Sequence, residues 1–453
     1  MSEAQPTSTA GPRLIVGAGV LAYVLAMGWL LQMPYDIAGG VLVGHVLAVV
    51  TVPLLMWLTR HDDRPTRRLV LAALVAKLVG TMLRYFFVFV VYKEGDARQY
   101  DEVGRVLAGL FRHGQFSVDL GNKLVGTGFI ELLTGILYTV IGPTKVGGFL
   151  VFSWLGFWGL YLFYRAFRIA LPDGDHRRYG LLIFFLPSMV FWPSSIGKDA
   201  WMALTLGLIA YGAARMVARR GSGLLFVVAG TLGSAMVRPH ITVMAVAALM
   251  ASYLLASSSN RSYAAPLIKL AGSAALVGVF AFAFLSVQNF FKLADGGSVE
   301  EVFDKTNVDT TKGTSFKCGS GPVCAFSVLF RPLPIEARNP QILFASLEGA
   351  VLLVLFVMNV RRLRNFLPRR RNAYLTFAAT YSAMFVVAFS NVANFGILAR
   401  QRVQLFPLVF VALAVPVLRK TTRAPVPVVA GPRTGPARQR PRVPTPQVSS
   451  GPR

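Results

Sequence analysis

The sequence is short of acids, cysteines and histidines. Its 453 residues include 20 aspartates and glutamates, two cysteines and five histidines. So few thiols and imidazoles exclude a disulfide scaffold and a cysteine–histidine metal framework. Charged residues make up only 15% of the chain, against about a quarter in soluble domains. That shortage excludes a soluble globular enzyme, and a hydrophobic share of 54% excludes a disordered chain. What the chain has instead is apolar length and positive charge. Its mean hydropathy is positive and its net charge is +26. Charge of that size suits a nucleic-acid binder, but most of the chain is too apolar for that, and no nucleic-acid partner is expected. The pattern is that of an all-α, polytopic integral membrane protein.

About twenty apolar residues span a bilayer core as a helix. Such runs lie near Leu14–Gln32, Gly39–Leu58, Leu69–Tyr92, Lys145–Tyr164, Tyr179–Pro193 and Asp199–Val217. Others lie near Gly223–Val237, Ile241–Ala256, Pro266–Phe291, Ile342–Val360, Ala373–Val392 and Val403–Leu418, which makes about twelve transmembrane helices. The glycine-rich stretch Val125–Ile141 reads as an interfacial helix, because counting it as a span would invert every later loop.

Loops rich in lysine and arginine stay in the cytoplasm. Arg60–Arg68, Arg165–Arg178, Arg215–Arg220 and the six arginines of Arg361–Arg371 then share one side, which also holds nearly all of the positive excess. The expected layout is a cytoplasmic N-terminus over residues 1–13 and a membrane domain over 14–418. Extracytoplasmic loops fall at 93–144 and 292–341, and a basic, proline-rich cytoplasmic tail at 419–453. No cleaved signal peptide is expected, and the location is a cell (plasma) membrane, crossed many times with both termini inside.

This topology places five unusual segments on the outer face. They are Glu94–Tyr100 with the amphipathic helix after it, Pro193–Asp199, Arg238–His240, the loop Lys292–Gln341 and Asn394–Arg402. Cys318 and Cys324 lie in the fourth and can form a disulfide if that side is oxidising. Acids cluster in the first segment and cations in the others. A carboxylate can act as a general base or hold a cation, while arginine and lysine hold phosphate. Together they suit transfer from a lipid-linked phosphate donor: the acid takes a proton from an acceptor hydroxyl and the cations stabilise the departing phosphate.

On these residues the chain resembles the GT-C superfamily of membrane glycosyltransferases. Those enzymes carry a modified Asp-x-Asp motif in their first large outer loop. Glu94-Gly95-Asp96 matches it here, after the third span and ahead of an amphipathic helix. The resemblance implies Asp96 as the base and Glu94 as a supporting acid or metal partner. It also implies a polyprenyl-phosphate- or polyprenyl-diphosphate-linked sugar as donor and a cell-envelope or exported glycan as acceptor. No cofactor is fixed, and a divalent cation at the acids stays open. The chain departs from many relatives in having two spans before the one that precedes the motif, and it has no Trp-Trp-Asp sequence. Its arginine-bearing loop between the ninth and tenth spans is similar to that of O-antigen polymerases and ligases. A repeat-unit polymerase is therefore an alternative, and a transporter or flippase of lipid-linked sugars is a non-enzymatic one.

The expected phosphate-binding residues are Lys198, Arg238, His240, Arg331, Arg400 and Arg402. Each has a plainer reading beside this one. Arg238 can snorkel, His240 can sit idle at the interface, and Arg331 or Arg338 can pair with Glu336. Ser194, Ser195 and Asp199 read as helix caps, and Asp101 with Arg105 as an ordinary surface pair. Lys77, Arg84 and Glu348, charged inside spans, read first as partners of one another.

Overall fold

The computed structural model describes residues 10–30, 32–117, 124–218, 221–255, 277–278, 281, 322–337, 340–366, 372–390 and 395–416. Every regular element among them is helical. The chain runs α1 (Ala10–Leu30), α2 (Tyr35–Leu58), α3 (Arg64–Phe86, continued as a π-helix over Phe87–Tyr92), α4 (Asp96–Arg112) and α5 (Phe129–Ile141). It continues through α6 (Lys145–Ala170), α7 (His176–Phe185), α8 (Pro187–Phe191), α9 (Lys198–Val217), α10 (Gly223–Ala235) and α11 (Pro239–Leu255). Then come α12 (Pro322–Phe330), α13 (Pro340–Met358), α14 (Val360–Phe366), α15 (Ala373–Phe389), α16 (Phe395–Gln401) and α17 (Phe406–Ala414).

The centre is the pair α6 and α9, which run parallel and pack backbone to backbone. A Cβ placed on Gly159 would strike the backbone at Ala203, and one on Gly207 would strike Gly159. Such close approach needs small residues at the crossing. Around this pair lie α2, α3, α7 and α10, and further out α11, α15 and α17. The inner faces are aromatic: Phe149, Phe152, Phe157, Phe163, Phe167, Tyr179, Phe377 and Tyr381 are fully buried. The outer faces are apolar too. Val49 on α2 is 72% exposed and Leu25 on α1 is 65% exposed, an arrangement that water disfavours and lipid accepts.

Among the described residues five helices can cross a membrane by length and composition, or up to seven if two bent pairs each count as one span. The expected twelve is thus not reached by helix length alone. Tyr179–Pro193 is broken at Pro187 into α7 and α8, since a proline inside the run removes a backbone donor. The last apolar stretch bends by 61° between Phe395–Gln404 and Phe406–Ala414, and α13 meets α14 at 69°. Most of Pro266–Phe291 lies outside the described residues.

The bundle has two poles. The N-termini of α6 and α9 mark the first and their C-termini the second. The described parts of the basic segments gather at the second. There Asp62 pairs with Arg165 at 2.9 Å and Arg168 at 2.8 Å, and Arg362 pairs with Asp175 at 3.0 Å. Local caps set the helix starts: Asp63 accepts from the Thr66 amide and Asp175 from that of Arg178. Leu124–Ile141 is apolar enough to span, yet both of its ends attach to the first pole. The Gly126 amide donates to Met236 O at 2.8 Å, at the end of α10. At the other end Ile141 O accepts from the Tyr35 hydroxyl, at the start of α2. The α4–α5 hairpin therefore lies across one end of the bundle.

Candidate functional site

The α4 helix carries Ala97, Tyr100, Asp101, Gly104, Leu107, Ala108 and Phe111 on one buried face, the spacing of an amphipathic helix. That face packs on α5. Asp101 and Arg105 are not an ordinary surface pair. Asp101 is buried and accepts from the Tyr138 hydroxyl at 2.6 Å and from Arg105 Nε at 3.0 Å. Arg105 also donates to Asp36 at 3.0 Å and to Pro143 O at 3.3 Å. This knot ties α4 to α5 and to the start of α2. Burial alone would pull the Arg105 pKa down, but the bonds to Asp101 and Asp36 outweigh it and hold the guanidinium above its ordinary value.

Held in this way, α4 presents its first residue, Asp96, to α16. Arg400 Nη1 donates to Asp96 Oδ2 at 2.9 Å. The same guanidinium donates through Nε to Asp199 Oδ2. On the other side of Asp199, Arg238 Nη2 donates to Oδ1 at 3.0 Å. The four side chains grade from open to buried: Asp96 is 53% exposed, Arg400 23%, Arg238 8% and Asp199 6%. Asp199 is therefore no helix cap. Gly197 holds the cap position of α9 and makes no side-chain bond there. Asp199 and Asp96 thus supply part of the negative charge that Arg238 and Arg400 call for.

Lys198 lies beside this network. Its Nζ donates to Thr127 Oγ1 at 3.0 Å, and it is within Coulombic reach of Arg238, Asp96, Arg400 and Asp199. Tyr100 packs beside the start of α9; its ring lies 3.6 Å from where a Cβ on Gly197 would stand. Burial, and then the charge of Asp96, push its phenol well above the ordinary range. Arg84 stacks on Phe191 at 4.9 Å and on Trp192 at 4.8 Å, within reach of the charges of Arg400, Asp199 and Asp96.

Other expected residues are placed differently. Glu94 is exposed and joins no bond of this network. His240 packs near the Phe389 ring, with centroids 6.3 Å apart, and feels the charges of Arg238 and Lys198. Arg331 is bound by Glu336 and lies over the Phe395 ring at 5.2 Å, at the same pole but outside the Asp96–Arg400–Asp199 chain. Arg402 is 3% exposed and feels Glu348 rather than Asp199. Arg338, Cys318 and the Cys324 side chain lie outside the described residues.

Lys77, Arg84 and Glu348 do not pair with one another. Glu348 Oε2 accepts from the Ser188 amide at 2.7 Å, at the start of α8. Lys77 Nζ donates to Met189 O at 3.1 Å. These two charges satisfy backbone groups freed where the span breaks at Pro187.

No group of three or more histidine, cysteine, aspartate or glutamate side chains gathers among the described residues. Asp96 and Asp199 are both held by Arg400. A divalent cation at these two acids would compete with that guanidinium. In the sequence Asp199 reads as a helix cap and Arg84 as a structural charge inside a span, while Tyr100 and Thr127 are given no role of their own. The one signal was arithmetic: several cations share a face with few acids, so an acid beside them must be a partner. No family model, curated protein or solved structure matches this chain.

Proposed function

We propose that this chain is a membrane glycosyltransferase. It would move a sugar from a polyprenyl-linked phosphate donor to a cell-envelope or exported glycan outside the membrane. The observation that supports it is one arrangement: an open carboxylate, Asp96, fixed by Arg400 beside a set of cations. In this reading the Asp96 carboxylate takes the proton of the acceptor hydroxyl. The hydroxyl oxygen then bonds to the anomeric carbon as the bond from that carbon to the phosphate oxygen breaks. The phosphate leaves with the electron pair, and Lys198, Arg84 and the Arg238–Arg400 pair stabilise its charge. Asp96 afterwards gives its proton to water. No cofactor enters these steps.

We read the second pole as cytoplasmic, because it carries the basic segments. The catalytic pole then lies outside, in a cell membrane. Eleven helices or broken helices serve as spans: α1, α2, α3, α7 with α8, α6, α9, α10, α11, α13, α15, and α16 with α17. Pro266–Phe291 would be the twelfth.

The test is transfer of a labelled sugar from a polyprenyl-linked donor by the purified full chain in lipid nanodiscs. Formation of a glycosidic bond, lost in Asp96→Asn, is the expected result. Full activity of Asp96→Asn removes the base. Movement of the lipid-linked sugar across vesicles with no new bond identifies a flippase instead.

A further inference from the structure

We infer that the donor is linked through a diphosphate, not a single phosphate. The inference rests on the proposed function and deepens it. It comes from the charge inventory of the site. Four cations, Arg84, Lys198, Arg238 and Arg400, lie within Coulombic reach of two carboxylates, Asp96 and Asp199. Among the described residues that act on these four, two positive charges are left over. The surrounding ion pairs do not absorb them. Arg98 is matched by Glu102, Arg331 by Glu336, and Arg105 with Lys145 by Asp101 with Asp36.

Unbalanced charge in a partly buried site is costly unless an anion completes it. Unspent donors remain on three of the four cations. Arg238 is nine-tenths buried, yet its Nη1 has no hydrogen-bond partner, and the buried Nε of Arg84 has none either. Lys198 Nζ has one bond, to a hydroxyl, with further hydrogens to give. A sugar–phosphate–lipid diester carries one negative charge and a sugar–diphosphate–lipid diester carries two. Only the second cancels the excess. A diphosphate also offers oxygens on two phosphorus atoms, which suits donors that come from three separate helices. Arg84 extends from α3, Lys198 begins α9, and Arg238 precedes α11.

The test compares two donors with the same sugar and polyprenyl chain, one phosphate-linked and one diphosphate-linked. Each binds the full chain in phosphatidylcholine nanodiscs, and phosphatidylglycerol nanodiscs show whether a plain anionic headgroup competes. The expected result is at least about tenfold tighter binding of the diphosphate donor. Lys198→Gln should bring that ratio toward one while the thermal unfolding midpoint holds. Arg84→Gln, which breaks no ion pair, is the second variant should Lys198→Gln fail to fold. Equal binding of the two donors overturns the inference, as does an undiminished preference in both variants. Competition by phosphatidylglycerol as strong as that of the diphosphate donor also overturns it. The outcomes separate the two levels of argument. Efficient transfer from the monophosphate donor sinks the diphosphate assignment and leaves the transferase standing. Tight diphosphate binding with no transfer from either donor does the reverse.

Discussion

Arg400 Nη1 lies 2.9 Å from Asp96 Oδ2, across 304 residues of chain. The contact joins the most open acid of the site to its buried half, because Arg400 also holds Asp199. The two ends of this bridge should respond differently to mutation. Asp96→Asn removes an exposed carboxylate, so stability should change by less than about 1 kcal/mol. Activity should fall by roughly a hundredfold or more, the usual loss of a general base. Arg400→Ala leaves Asp199 buried with one partner and should cost about 3 kcal/mol. Sugar transfer and thermal unfolding, measured side by side on both variants, separate a chemical role from a structural one.

The α8 segment gives a second case. Glu348→Ala strands the Ser188 amide in an apolar layer and should destabilise the chain by about 1–3 kcal/mol. Glu348→Gln keeps an acceptor in place and should recover much of that loss. If the two variants melt together, the carboxylate charge matters and the bond to α8 does not.

Much of this site was legible in the sequence, for an identifiable reason. The positive-inside bias sorts loops by side, and sorting alone places Asp96, Lys198, Arg238 and Arg400 on one face. The structure brings these four into one cluster. What could not be read was pairing. Asp199 looks like a cap because caps are decided locally, whereas its partners lie 39 and 201 residues away. Lys77 and Glu348 looked like partners because intramembrane charges usually are; here a broken helix supplied backbone groups that each could satisfy. The π-helical end of α3 and the bend before α17 left no pattern, since they follow from packing against helices distant in the chain.

One crossing shows how position overrides composition. Gly159→Ala places a methyl group against the backbone of α9 and should destabilise by about 1–3 kcal/mol. Gly109→Ala, on an open face of α4 with nothing near, should stabilise by about 0.5–1 kcal/mol. The same substitution should move the unfolding midpoint in opposite directions. A matching sign in both variants would contradict the α6–α9 contact.

The Arg331–Glu336 lock should be pH-sensitive. The Arg331 hydrogen bond, aided by the Leu333 amide, holds the Glu336 carboxyl below its ordinary value of 4.5. A lowered folded pKa means that the lock contributes above the ordinary value and is lost as pH falls through the lowered one. Hydrogen exchange over residues 331–337 should therefore be steady, after correction for intrinsic rates, from neutrality down to about pH 5. It should quicken below 4.5. Exchange that quickens near neutrality would point to a different titrating group.

Orientation can be tested apart from chemistry. Glu102 is exposed on α4 at the first pole, and its pairing with Arg98 is a surface one worth at most about 1 kcal/mol. His61 is exposed at the opposite pole, in the basic loop before α3. In a background with both native cysteines replaced by alanine, Glu102→Cys should react in intact cells with a membrane-impermeant thiol reagent. His61→Cys should react only after the membrane is opened. The proposed orientation predicts this result, since arginine-rich loops resist translocation. The reverse pattern would place Asp96 in the cytoplasm. A donor presented on the outer leaflet could not then reach it, and the proposed reaction would have to be abandoned even with every contact of the site intact.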